Sequence, residues 1–328
     1  MSLIVAFVLL ILGFVLLTKG ADYFIENSAA FAEDNGISPH IVGVTIVAFG
    51  TSLPELLVSL ISSFYGHNDL AFGNIVGSNI SNLGLVLAIS SFVFYYVLGT
   101  TLNPNSDSNN DSYVMFAAVF LLIIFAQDNL ISFPEGFIFF VLYLIYLFSL
   151  YFRSKKRQIK TPEGEAKYAM GKGWDQEYAD LIEGSTSYPF LIGGLISMLL
   201  GAQLTVDSAI EMASQLGVSE IVIGLSVVAV GTSLPELAGT ITAARMGHKE
   251  IAIGNVIGSN IANIFMVMGV LAMVSNITVE QWILDTTLPL LMIVTVAAFG
   301  LIRVPFNRIS GLLLFAFFIL FIYELTII

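Results

Sequence analysis

Apolar residues in this chain gather into blocks of membrane-spanning length, and polar residues collect between them. A hydrocarbon core of ~30 Å takes ~20 helical residues to cross. Blocks of that order fall at residues 3–18, 39–64, 71–98, 114–127, 135–152, 187–215, 219–245, 251–273, 281–301 and 310–327. The pattern predicts an all-α polytopic membrane protein with ten transmembrane helices. The fourth block is the shortest, closed by Asp128 and Asn129. The first and sixth carry polar extensions toward Gly36 and Gly217, which predict long, tilted helices. Residues 3–17 lack the basic flank and small-residue cleavage site of a signal peptide, so they are expected to form the first membrane helix.

Composition agrees with this pattern. Only 11% of the 328 residues are charged against 57% hydrophobic, too little polar surface for a soluble body of this size. The location of the charges says more than their net value of -12. With ten spans and the N-terminus outside, the cytoplasmic loops are 19–38, 99–113, 153–186, 246–250 and 302–309. All 12 basic residues then fall in or beside these loops, as cytoplasmic enrichment of Lys and Arg requires. Both termini are expected to be extracellular and the 153–186 loop cytoplasmic. That loop is the one long polar connection and divides the chain into a first five-helix unit, 1–152, and a second, 187–328. It is too short to fold a domain of its own and is expected to be a solvated linker.

The halves are copies. At a constant offset of 181, Gly20 pairs with Gly201, Gly36 with Gly217, Ser38 with Ser219, Gly43 with Gly224 and Ala48 with Ala229. GTSLPEL at 50–56 returns at 231–237, and GHNDLAFGNIVGSNISN at 66–82 returns as GHKEIAIGNVIGSNIAN at 247–263. No gap is needed from Gly20 to Asn82, so this is an internal duplication. A unit of five spans re-enters the membrane with opposite polarity, and the copies are therefore inverted. Inverted repeats are a construction of secondary transporters, whose substrate sites lie near the midplane between the repeats.

The duplicated stretches carry chemistry that suits such a site. Pro54 cannot donate to the carbonyl of Gly50, and Gly50 is itself a weak helix former, so the second span is expected to break there, and the seventh likewise. Irregular backbone at membrane depth is tolerated where it is buried in protein or lines a cavity, and its carbonyls can then serve as ligands. The carbonyls of Ala48, Thr51, Ala229 and Thr232 are candidates, with the hydroxyls of Ser52 and Ser233. Glu55 and Glu236 are ionisable groups at helix centres, each costing ~2.5 kcal/mol or more unless neutralised. No Lys or Arg lies within a span interior, so the compensating charge must be a proton or a metal cation. Two protonated, hydrogen-bonded glutamates would be neutral as well, but would leave the adjoining oxygen-rich residues unexplained.

Helical spacing places Ser78 with Asn82, and Ser259 with Asn263, on one face each, with Asn74 and Asn255 a turn back on the same side. The nearby glycines 73, 77, 84, 254, 258 and 269 are expected to permit close helix packing. His67 and His248 sit just beyond motif helices, where a loop or capping role is expected. Glu26 and Asp207 lie near helix ends, where charge is cheap. The donor set is entirely oxygen, since the chain has no cysteine and no histidine at this depth. It suits Ca²⁺, with its six to eight loosely arranged ligands, better than Mg²⁺. The same groups could instead surround several Na⁺ ions, and competition between the two occupancies is a basis for exchange.

The paired GTSLPE and GNxxGSNxxN stretches resemble the two alpha repeats of the cation/calcium exchanger superfamily, and in particular its prokaryotic sodium/calcium exchangers. The resemblance covers all ten spans, with its specific signal in residues 43–85 and 224–266. It implies a five-plus-five inverted fold in which the second, third, seventh and eighth spans surround the ion sites. Carried over by position, it makes Glu55 and Glu236 ligands of both Ca²⁺ and Na⁺, and Thr51 and Thr232 carbonyl donors to Ca²⁺. Ala48, Ser52, Ser78, Ala229, Ser233 and Ser259 match ligands of outlying Na⁺ sites, and Asn82 matches a central amide. Asn263 departs from relatives with Asp there, which argues against K⁺ coupling and against a proton held at that position. Proton-coupled members resemble GNxxE at the first acidic motif, unlike this chain.

The function these residues imply is exchange of Na⁺ for Ca²⁺ by alternating access, the first and sixth spans sliding across a fixed core. A Ca²⁺/H⁺ antiporter of the same fold is the alternative, and a cation channel is a further one. No enzymatic constellation is present, no resident cofactor is expected, and nothing points to nucleic acid or nucleotide. The expected partners are Ca²⁺, Na⁺ and the lipid bilayer, with the chain a monomer in a prokaryotic cell membrane.

Overall fold

The computed structural model describes residues 2–66, 68–99, 101, 106–160, 186–215 and 229–327. Most of the linker expected at 153–186, Gly217 at the end of the sixth span's extension, the N-terminal part of the seventh span with Ser219 and Gly224, and His67 lie outside the described residues.

The chain folds into helices α1 (Leu3–Asp34), α2 (Pro39–Val42), α3 (Ala48–Thr51), α4 (Leu53–Phe64), α5 (Asn68–Ser81), α6 (Leu87–Phe92), α7 (Ser106–Phe125) and α8 (Phe133–Lys160). The second half continues with α9 (Tyr188–Gln215), α10 (Ala229–Thr232), α11 (Leu234–Arg245), α12 (Lys249–Ala262), α13 (Gly269–Val274), α14 (Leu288–Leu301) and α15 (Arg308–Ile327). Short π-helical segments join several of these into longer spans, at Gly43–Val47, Asn82–Val86, Val93–Val97, Asn263–Met268 and Ile283–Thr287. Two-residue strands β1 (Leu130–Ile131) and β2 (Ile277–Thr278) pair antiparallel and tie a loop of one half to a loop of the other. Eight helical runs among the described residues are long and apolar enough to cross a membrane.

Several expected loops are helix. At 32 residues α1 is ~48 Å long, more than a bilayer core requires, so it must tilt. It follows the polar extension toward Gly36, which predicts such a long helix, and so runs through the segment expected as a loop from residue 19. There Lys19 faces outward beside Asp22, at 3.5 Å. The helix stops where Gly36 adopts φ 59°, which lets the amides of Gly36 and Ile37 return to the carbonyls of Glu33 and Ala32. The acidic stretch SDSNND at 106–111, also expected as loop, forms the first turns of α7. Its Asp111 is fully buried, 2.8 Å from His40 Nε2 and 2.5 Å from the guanidinium of Arg153, which is itself inside α8 rather than at the start of a linker. Helix formation there removes backbone polarity from the membrane interface, and the charges neutralise one another.

The long helices α1 and α9 lie antiparallel, backbone against backbone. A methyl built on Gly20 would stand 2.3 Å from Met198 N, and one on Gly201 would stand 2.2 Å from Leu17 N. Gly13 faces Gly201 and Gly20 faces Gly194. Because α1 and α9 are equivalent helices of the two copies, their antiparallel course means the copies are inverted. Beside this pair lies a core in which residues 251–262 of α12 are buried without interruption. The glycines expected to permit close packing divide. Gly254 and Gly258 meet the backbone of residues 40–44, Gly84 meets α15 and Gly269 meets α8, whereas Gly73 faces open space.

Candidate functional site

Both GTSLPE segments interrupt their helices at the same residue. Ser52 has φ -85° and ψ 6°, and Ser233 has φ -85° and ψ 5°. The break is narrow, since Ser52 N still donates to the Ala48 carbonyl at 3.0 Å. Pro54 and Pro235 then stand in the first turn of α4 and α11, where a missing amide hydrogen costs nothing. Glu55 and Glu236 follow in that first turn, near the positive end of the helix dipole. Both are completely buried.

The two copies interlock around these breaks. Ser52 Oγ of the first half donates to Glu236 Oε1 of the second at 3.0 Å. Thr51 Oγ1 lies 3.1 Å from Asn255 Oδ1 and 3.3 Å from Ser259 Oγ. Thr232 Oγ1 lies 3.2 Å from both Asn74 Oδ1 and Ser78 Oγ, the same contacts with the halves exchanged. Ser259 Oγ also approaches the Ala48 carbonyl, at 3.5 Å. The π segments begin at Asn82 and Asn263, which are equivalent positions. The segment from Asn82 packs against α11, which carries Glu236, and that from Asn263 packs against α4, which carries Glu55.

The arrangement is chemically incomplete as protein alone. Both carboxylate oxygens of Glu55, Oε2 of Glu236, Ser233 Oγ and both amide ends of Asn82 and Asn263 are buried with no hydrogen-bond partner of ordinary geometry. A buried polar group without a partner costs about 1–3 kcal/mol, and a charged one more. Such a cluster of oxygens is what a desolvated cation can satisfy.

Of the expected site residues, the structure joins Ala48, Thr51, Ser52, Glu236 and Ser259 by direct contacts, and Ser78 with Thr232. It buries Glu55, Asn82, Asn263 and Ser233 around the same breaks, and places Ala229 at the start of α10. Ser59 and Thr240 were not anticipated. They hold Asn74 and Asn255 at 3.1 and 2.8 Å, and their own match at the offset of 181, hydroxyl for hydroxyl, was the available signal. His248 does occupy the position before α12, but its side chain makes no cap to the helix. It is buried instead, and burial lowers its pKa to about 4. Glu26 and Asp207 are exposed on α1 and α9 and make no contact with the buried acids among the described hydrogen bonds.

The family pattern described as sodium/calcium exchanger protein matches residues 5–152 and 186–327. The sodium/calcium exchanger MaX1 of Methanosarcina acetivorans is 33% identical over 97% of each chain. The inner membrane protein YrbG of Escherichia coli is 33% identical over 83% of this chain and 81% of its own. A solved structure of the sodium-calcium exchanger NCX_Mj, soaked with Na⁺ and Sr²⁺, superposes with a TM-score of 0.79 at 29% identity, over 98% of this chain and 99% of that one. The fold is thus the ten-helix membrane fold of two inverted five-helix repeats. With the repeats and their shared buried cluster in view, these matches place the chain in the sodium/calcium exchanger protein family, as a multi-pass cation/Ca²⁺ antiporter and not an enzyme.

Proposed function

We propose that this chain exchanges Na⁺ for Ca²⁺ by alternating access, with Glu55 and Glu236 as the shared ligands of both ions. The observation that carries the reading is the pair of fully buried carboxylates, one from each inverted half, ringed by unpartnered oxygens. Two carboxylates neutralise one Ca²⁺, and hard oxygen donors of variable geometry suit it. The carbonyls of Thr51 and Thr232 complete the Ca²⁺ site in this reading. Ala48, Ser52, Ser78, Ala229, Ser233 and Ser259 serve Na⁺, and Asn82 and Asn263 contribute amide oxygens at the centre. The two amides also favour sodium over proton coupling, because neither can carry a proton in the way a third carboxylate would.

In this scheme the units 1–152 and 187–328, joined by the cytoplasmic 153–186 connection, form one monomeric transporter in the cell membrane with both termini outside. The α1–α9 pair moves as one body across the core, and only a fully occupied, neutralised site lets it pass. An empty site leaves two buried carboxylates uncompensated, which raises the energy of the crossing and enforces exchange rather than leak.

The deciding experiment is Ca²⁺ flux into proteoliposomes under imposed Na⁺, K⁺ or H⁺ gradients. Flux driven by the Na⁺ gradient alone supports the reading. Flux driven only by a pH gradient makes the protein a Ca²⁺/H⁺ antiporter, and flux without any counter-ion makes it a channel.

A further inference from the structure

Asn74 and Asn255 lie in the third and eighth spans, a full turn away from the nearest expected ligand on their own helices, yet each reaches both halves of the molecule. Asn74 Nδ2 lies 3.1 Å from Ser59 Oγ and 3.4 Å from the Glu55 carbonyl, both in its own repeat. Its Oδ1 receives the Thr232 hydroxyl of the other repeat at 3.2 Å. Asn255 does the same in reverse, with Thr240 Oγ1 at 2.8 Å, the Glu236 carbonyl at 3.3 Å and the Thr51 hydroxyl at 3.1 Å. A backbone carbonyl can only accept, so the amide nitrogen must face Glu55 and Glu236, and the oxygen must face the threonines. Both asparagines are buried, so no water competes for these bonds.

We propose that Asn74 and Asn255 are positioning residues that brace the ion site across the repeat interface. Each ties the backbone of one acidic residue to the threonine of the opposite helix break. The distance between the Glu55 turn and the Thr232 turn is then set by one rigid amide, and so is that between Glu236 and Thr51. Ser59 and Thr240 anchor the braces from behind. Neither asparagine touches the ion. Each acts by holding carboxylate and carbonyl donors at a separation the ion can bridge, so its removal weakens binding through geometry.

This inference rests on the reading that Glu55, Glu236, Thr51 and Thr232 bind the transported cation. The test is a set of four double-mutant cycles on the purified full chain, measuring the midpoint of Ca²⁺- and Na⁺-induced thermal stabilisation together with the half-saturating Ca²⁺ for flux. Thr232→Val and Thr51→Val remove the hydroxyls but keep the backbone carbonyls. Asn74→Ala is expected to raise the half-saturating Ca²⁺ roughly tenfold, the worth of one to two buried hydrogen bonds, with a smaller change in maximal flux. Asn74→Ala and Thr232→Val are expected to be non-additive, whereas Asn74→Ala and Thr51→Val add. The pattern inverts for Asn255→Ala.

Should the asparagine variants fail to fold, Ser59→Ala and Thr240→Val remove only the anchors, and they are expected to weaken ion binding about threefold with the fold intact. Unchanged ion affinity in the folded variants, or additive effects in both the Asn74–Thr232 and the Asn255–Thr51 cycles, overturns the brace. A wild-type protein that neither Ca²⁺ nor Na⁺ stabilises overturns the binding reading beneath it.

Discussion

Glu55 and Glu236 stand at the point where stability and function pull in opposite directions. Each is buried without an ion pair among the described residues, and Glu55 has no ordinary hydrogen bond to either oxygen. Glu55→Gln removes the uncompensated charge while keeping the shape. The ion-free variant is therefore expected to melt no lower than wild type, while Ca²⁺ affinity falls by roughly ten- to a hundredfold, as loss of a charge-assisted contact implies. Thermal melts with and without Ca²⁺, alongside flux, check both halves of this statement. His248 gives a residue-scale prediction of a different kind. Its pKa is lowered to about 4 by burial, below the ordinary value of 6.5, so an unfolded chain takes up its proton at a pH where the folded chain does not. The stability lost in this way is nil above pH 6.5 and grows as pH falls toward 4, to at most about 3 kcal/mol. His248→Gln is expected to flatten that part of the melting-temperature profile between pH 7 and 4.

Helix pairs set the next scale. Gly20→Ala would drive a methyl into the backbone of α9 at Met198, and overpacking of this sort costs about 1–3 kcal/mol or more. A loss of monodisperse protein on size-exclusion chromatography, matched by Gly201→Ala, is the expected result. At the other edge of the first half, Asp111→Asn leaves Arg153 without its counter-ion and is expected to lower stability by at least about 1 kcal/mol in a thermal melt. These two contacts also mark what the sequence could reveal. The inverted repeat was legible because the same residues recur in register, and with it the breaks at Ser52 and Ser233 and the buried acids, since proline and glutamate inside apolar blocks have few explanations. The length of α1 was legible in its polar extension toward Gly36, although Lys19 and Asp22 also read as the start of a cytoplasmic loop. Burial of Asp111 was hidden because its partners His40 and Arg153 lie far from it in the chain. The π segments at Asn82 and Asn263 leave no mark in hydrophobic periodicity, and Ser59 and Thr240 gain meaning only once the asparagines they hold are seen.

At the scale of the whole molecule, exchange of more than two Na⁺ for each Ca²⁺ would move net charge. Ca²⁺ uptake driven by an outward Na⁺ gradient is then expected to build a membrane potential, interior negative, which a potential-sensitive dye reports and a K⁺ ionophore relieves. Orientation is equally open to measurement, because the native chain has no cysteine to interfere. A membrane-impermeant thiol reagent is expected to label Ser2→Cys in intact cells, and to label Ala166→Cys only after permeabilisation. The seam between α1 and α9 bears on a longer timescale. Gly13 meets Gly201 while Gly20 meets Gly194, and each residue of one pair is the offset equivalent of a residue of the other. Two separate five-helix chains would join across these glycines as an isologous dimer, in which any inherited substitution enters the contact twice. Fusion into one chain frees the two sides to vary one at a time, and a buried His40 in one copy where the sequence of the other has Ile221 at the offset of 181 is the kind of divergence that a symmetric dimer forbids.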